Sequence, residues 1–239
     1  MPETLTARAR WIALIVVCFG QFMVILDATI VNVALPSIQT DLDLSTEQLQ
    51  WIVNSYTLLF GGFLLLGGRA ADLIGRRALF IAGLALFSAA SLLGGFATSS
   101  GWLLMSRAVQ GIGAAMAAPS ALALVLSTFP EGPGRTRALS IFSSVSAFGA
   151  SIGLLAGGLL TAWVSWRWVM FVNVPIGIAV ALLAPFVILE SERHAGRFDR
   201  QGRAFRHRSQ GPSVRRRLRR LRQPQPARQR CRARRACRS

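Results

Sequence analysis

Apolar residues run along the chain in six long blocks, at 11–34, 49–67, 78–97, 102–126, 139–162 and 168–189. Crossing a bilayer core of about 30 Å takes roughly 20 mostly apolar residues in a helix, and each block reaches or nears that length. Turn and charge residues separate them: Pro36 with Asp41 and Asp43, then 69–77, 98–101, 130–137 and 165–167. One short apolar run can be a buried helix of a soluble domain. Six in succession predict an all-α, six-transmembrane-helix bundle. The first block follows two arginines, as a secretory signal does, but it runs past signal length, holds Asp27 and Asn32, and has no clear small-x-small cleavage site. It is expected to remain as a span.

Charge sets the direction. With the N-terminus inside, the cytoplasmic segments own Arg8, Arg10, Arg69, Arg76, Arg77, Arg135, Arg137, Arg193, Arg197 and Arg200. The outer loops own Arg167 alone, with Asp41, Asp43 and Glu47. That asymmetry follows the positive-inside rule, so a multi-pass protein of the cell membrane with both termini in the cytoplasm is expected.

Composition divides the chain in two. It is 52% hydrophobic and 15% charged, with a formal net charge of +17. All ten acids and twelve of the 27 basic residues lie before position 201. The other fifteen, all arginine, crowd into 201–239 with no acid among them. The predicted organisation is a six-span unit over 1–196 and a basic tail over 197–239. The tail is too poor in apolar side chains to offset its ordering entropy and is expected to be disordered. A lysine-free chain implies G+C-rich coding DNA, in which a shifted reading frame is dense in arginine, alanine and proline. A frameshift near residue 200 is therefore the preferred origin of the tail. The competing reading is a membrane-anchored protein whose arginines bind anionic lipid or nucleic acid by counterion release. Phe205 is the single aromatic of 201–239, which disfavours nucleic acid, where bases stack on aromatic rings.

No enzyme is expected. The chain has no Gly-x-Ser-x-Gly, no His-Glu-x-x-His and no phosphate loop, while His194 and His207 fall outside the spans. Three scattered cysteines exclude a disulfide framework, and Cys231 and Cys237 lack zinc-ligand spacing, so neither metal nor cofactor is implied.

The polar residues inside the spans carry the candidate chemistry. Asp27 is an acid within a span, where ionisable side chains are costly and functional by default; it is the candidate to take and release a proton. Its alternative is an acid near enough to the outer surface to stay hydrated. At 1.5 Å per residue, Asp27 lies roughly 24 Å from the inner end of its span, and Arg107 roughly 8 Å below the outer end of the fourth. Similar depth predicts a pair, direct or through water; snorkelling of Arg107 to the interface is the alternative. Asn32, Asn54, Tyr56 and Gln110 are placed near a substrate cavity, each equally able to form an interhelical hydrogen bond. Gly149, Gly153 and Gly157 recur every fourth residue and give one helix face for close packing.

Several patterns together resemble the major facilitator superfamily, and within it the drug:proton antiporters with fourteen spans. The first runs from Leu26-Asp27-Ala28-Thr29 to Leu35-Pro36. Gly68-Arg69-Ala70-Ala71-Asp72 through Gly75-Arg76-Arg77 resembles the superfamily's cytoplasmic loop motif, with Leu73 where a basic residue is common. Arg107 through Gly113 resembles the proton-coupling motif, and Gly149 through Gly158 the antiporter motif, with Leu154 where proline is usual. Trp166-Arg167-Trp168 through Asn173-Val174-Pro175-Ile176-Gly177 is typical of the same branch. The resemblance implies efflux of small lipophilic drugs, antibiotics among them, driven by the proton gradient. It assigns proton coupling to Asp27 and Arg107, and a cytoplasmic gate to Gly68, Asp72, Gly75, Arg76 and Arg77. Helix packing falls to Gly149, Gly153, Gly157 and Gly158. The family's site lies between two six-span halves, so an N-terminal half by itself is expected to be inactive, unless two copies pair as a homodimer through their glycine faces. The implied partners are a small-molecule substrate, protons and the lipid bilayer.

Overall fold

The structure is a computed structural model, and it describes residues 7–188. The basic tail, both histidines and two of the three cysteines fall outside the described residues. Seven helices make six spans: α1 (Ala7–Asp41), α2 (Thr46–Ile74), α3 (Arg76–Gly95), α4 (Ser100–Thr128), α5 (Pro133–Trp163), α6 (Arg167–Phe171) and α7 (Asn173–Val187). The last two, parted at Val172, together form a sixth apolar stretch, Arg167–Val187. All six stretches are long and apolar enough to cross a membrane.

Helix ends depart from the pattern of apolar blocks. Pro36 was expected in the first break, yet α1 continues through it to Asp41. Likewise α2 runs past Arg69 and Asp72 to Ile74. A helix of 35 residues is roughly 52 Å long at 1.5 Å per residue, well beyond the hydrocarbon thickness. Polar and charged residues at its ends can thus stand in the headgroup region without ending the helix. The breaks that do occur have local causes. Ser45 accepts a hydrogen bond from Gln48 N at 3.2 Å while the Gln48 side chain accepts from Ser45 N at 3.0 Å. This reciprocal cap starts α2. Gly75, at φ 113°, turns the chain from α2 into α3 within one residue, a conformation that side chains with a Cβ rarely adopt.

Packing is organised around α1 and α4. The most extensive contacts join α3 to α4, α2 to α4 and α1 to α5, and α7 lies against both α1 and α3. The glycine row of α5 faces α1: Gly149 meets Phe22 and Ile25, Gly153 meets Leu26 and Thr29, and Gly157 meets Ile30 and Val33. Gly158 points into open space and takes no part. Because that row is occupied within the chain, it cannot also be the contact of a homodimer. Backbones of α3 and α4 meet at Gly113, where a Cβ would stand 2.8 Å from both Gly83 O and Phe87 N.

At the end of the bundle that holds the α1–α2 and α5–α6 connections, Arg167 has a structural use. Arg167 donates to Ala97 O at 2.6 Å, Gly95 O at 3.3 Å and the Asp41 carboxylate at 3.3 Å, and its guanidinium lies over the Trp166 ring. Trp166 Nε1 donates to the same carboxylate at 2.8 Å. Three helix ends, those of α1, α3 and α6, are tied together there.

Gly113→Val is expected to destabilise the bundle by about 1–3 kcal/mol through backbone overpacking. Gly158→Val, with space around it, should leave thermal unfolding in detergent unchanged. Equal effects of the two would contradict the packing described.

Candidate functional site

Five spans converge on Asp27. Arg107 and Gln110 lie three residues apart on α4, which puts both on one helical face toward α1. Ser91 comes from α3, Asn173 opens α7, and Tyr56 stands on α2. Asp27, Gln110, Ser91 and Asn173 are fully buried, and Arg107 is 2% exposed. Snorkelling is thereby excluded for Arg107, and surface hydration for Asp27.

Among the described residues, every side chain that bonds the Asp27 carboxylate does so as a donor. Arg107 Nη1 donates to Asp27 Oδ2 at 2.6 Å. Asn173 Nδ2 and Gln110 Nε2 donate to Oδ1 at 2.8 and 3.2 Å. Charge-assisted hydrogen bonds of this kind are short and strong. A buried ion pair offsets its desolvation only when its remaining polar atoms are also bonded, and the neighbours largely meet that demand. Gln110 Oε1 accepts from Arg107 Nη1 at 2.9 Å, and Gln110 Nε2 also donates to Ser91 Oγ at 2.6 Å. The Tyr56 ring lies 4.4 Å from the Arg107 guanidinium carbon, in the arrangement where a ring's negative face attracts a cation. Arg107 Nε and Asn173 Oδ1 are buried without a hydrogen-bond partner among the described residues.

The expected cavity residues separate into two groups. Gln110 belongs to the carboxylate network, and Tyr56 underlies Arg107; both are buried rather than on an open wall. Asn32 and Asn54 are exposed, and Asn32 bonds back to Ala28 O in its own helix at 2.8 Å. Asn173 and Ser91 were not singled out from the sequence as site residues. For Asn173 a signal exists: it is the sole amide, hydroxyl or charged side chain in 168–189. Ser91 offers none, since Ser88 in the same span is equivalent in sequence.

At the α2–α3 turn, Asp72 and Arg76 pair at 3.5 Å. Arg76 also donates to Ala123 O at 3.4 Å, and Arg77 donates to Ile188 O at 2.9 Å. Ile188 caps α7, so Arg77 places a cation on the negative end of that helix. Gly68 is half-buried with no side chain near it, and Gly75 forms the turn.

A family model for the Major Facilitator Superfamily matches residues 17–231. The chain is 49% identical over 188 residues to puromycin resistance protein pur8 of Streptomyces alboniger, covering 79% of this chain and 37% of that protein. It is 50% identical over 176 residues to cephamycin export protein CmcT of Amycolatopsis lactamdurans, covering 74% and 36%. It thus spans a little over a third of the length of these relatives. Among solved structures, an inward-facing bacterial homologue of the human lysosomal transporter Spinster superposes with a TM-score of 0.67 at 22% identity, over 79% of this chain and 45% of that one.

Arg107→Ala is expected to cost about 3–5 kcal/mol of stability, because it strands the buried carboxylate. Adding Asp27→Asn should recover part of that loss, since the stranded charge is gone. Strictly additive losses in a double-mutant cycle would mean that the two side chains are energetically independent.

Proposed function

The chain belongs to the major facilitator superfamily, and we propose that it is the proton-carrying part of an exporter of small lipophilic compounds. The observation that carries this reading is Asp27: a fully buried carboxylate held by three donors from α4 and α7. In the ionised state the Arg107 guanidinium holds it across the α1–α4 contact. A proton arriving on Asp27 cancels the carboxylate charge, and the attraction between the two helices falls with it. The α1–α4 contact can then rearrange, and departure of the proton restores it. That cycle couples proton movement to the relative position of the helices that bear the site. The names of two relatives, a puromycin resistance protein and a cephamycin export protein, support outward transport of antibiotic-like molecules as the cargo.

Alternating access requires two units that rock against each other around a site at their interface. The coverage of this bundle points the same way. Only 11% of the apolar window of α2 and 22% of that of α5 is buried, against 61% for α1. The flanking helices α2 and α5 are therefore the surfaces left for a second six-span unit, supplied by further sequence or by another copy. Asn32 on α1 and Asn54 on α2 would line the cargo path toward that unit. Asp72, Arg76 and Arg77, with Gly68 and Gly75, would form the cytoplasmic gate, closing when the second unit meets the α2–α3 turn. The arginine asymmetry supports residence in the plasma membrane with both termini in the cytoplasm.

Two outcomes are expected. In the complete transporter, Asp27→Asn should abolish protonophore-sensitive export while membrane insertion stays normal, because the amide cannot cycle a proton. Export at the native rate by that variant would remove Asp27 from the mechanism. Vesicles holding only this 239-residue chain should show no protonophore-sensitive export of a fluorescent lipophilic dye. Export from them would establish that two copies suffice.

A further inference from the structure

Two amides touch the Asp27 carboxylate, and they are not equivalent. Gln110 is held at both ends, its Oε1 by Arg107 at 2.9 Å and its Nε2 by Ser91 at 2.6 Å as well as by Asp27. Asn173 is held at one end only. Its Nδ2 donates to Asp27 Oδ1 at 2.8 Å, while its Oδ1 is buried and has no donor among the described residues. A fully buried amide oxygen left without a partner is uncommon in native structures and asks for an explanation.

We infer that Asn173 is a positioning residue for the proton on Asp27, with an amide that turns over as the carboxyl is protonated and turns back as it ionises. The inference rests on the reading of Asp27 as a proton carrier. An ionised Asp27 needs donors, and it has three. A protonated Asp27 carries an O–H that needs an acceptor. Oδ2 faces the Arg107 guanidinium at 2.6 Å, and that cation repels a proton there, so the proton goes to Oδ1. At Oδ1 it meets the N–H groups of both amides, and one of them must become an acceptor. Gln110 cannot reverse without losing Arg107 and turning its N–H groups against the guanidinium, even though the Ser91 hydroxyl can donate as well as accept. Asn173 can rotate about Cβ–Cγ, a broad two-fold torsion. The rotation brings its Oδ1 to accept the new O–H and gives that oxygen its missing partner in the same step.

One O–H bond forms at Asp27 and no heavy-atom bond breaks. The proton comes from water on the side to which the site opens, and it returns to water on release. The charged and titratable groups around the carboxyl are few. Arg107 faces it from α4, and Tyr56 from α2 lies against the guanidinium. From α3 comes the neutral Ser91, and α5 presents its glycine row. Arg167 of α6 is engaged at one end of the bundle with Asp41 and two carbonyls. No other described charge competes with Asn173 for the proton. An amide is the side chain that can serve both protonation states, since it carries donor and acceptor at the same distance from its rotation axis.

The chain has three asparagines, at 32, 54 and 173, which makes selective labelling practical. The native chain, labelled with 15N in asparagine side chains and 13C in aspartate carboxyls, would be placed in lipid bilayers. Solid-state magnetic resonance would then follow it from about pH 9 to about pH 4, with Asp27→Asn used to assign the Asp27 signal. The expected result is a titrating Asp27 Cγ signal whose dipolar coupling to Asn173 Nδ2 is present when ionised and lost when protonated. A Cγ signal that titrates while the coupling persists overturns the inference and makes Asn173 a fixed donor. A Cγ signal that never titrates overturns the proton-carrier reading and this inference together.

Discussion

The arrangement of this bundle depends on a carboxylate and a guanidinium taken out of water together. Asp27 and Arg107 meet at 2.6 Å with almost no solvent exposure, at a depth where neither charge can stand alone. Each remaining polar atom of the pair then needs a partner, and those partners fix the rotation and depth of other helices. Gln110 must lie one turn along α4, Ser91 must come within reach from α3, and Asn173 must begin α7 beside α1. Tyr56 closes the cation from the side of α2. Apolar packing holds helices together but leaves them free to slide. Hydrogen bonds of defined length remove that freedom.

Small residues make the close approach possible. The glycine row of α5 lets its backbone lie on the side chains of α1 that flank Asp27, and Gly113 lets α3 touch α4. At one end of the bundle, Arg167 and Trp166 bind Asp41 and gather the ends of three helices. The opposite end has looser ties, through Arg76 and Arg77 to carbonyls near the ends of α4 and α7. The bundle is thus pinned at one end and at its buried pair, with α2 and α5 mostly uncovered.

Much of this was legible in the amino-acid sequence, and the reasons differ from residue to residue. Six apolar blocks prescribe six spans because the hydrocarbon thickness sets a minimum length. Helix rise puts Asp27 and Arg107 at similar depth and so makes a pair one of the readings, beside hydration and snorkelling; the packing of α1 on α4 selects it. The helix ends were harder to place. Pro36 and Arg69 resemble breaks in sequence, yet helices can overhang the bilayer, and composition does not record where hydrogen bonding stops. The network partners were harder still. Whether Gln110 faces a cavity or a carboxylate depends on how far α4 is rotated, which the sum of all contacts decides. Asn173 stands out as the lone polar side chain in its span, but nothing local says which helix it meets. Gly158 shares a motif with Gly157 and points elsewhere, because adjacent residues on a helix lie about 100° apart at 3.6 residues per turn.

The central claim is that Asp27 exchanges a proton inside the bundle. The most direct measurement is an infrared difference spectrum of the chain in bilayers between alkaline and acidic pH, recorded for the native protein and for Asp27→Asn. A buried protonated carboxyl should contribute a C=O band at acidic pH in the native protein that is missing from the variant. Identical difference spectra for the two proteins would contradict the claim, leaving Asp27 as a permanently ionised structural partner of Arg107.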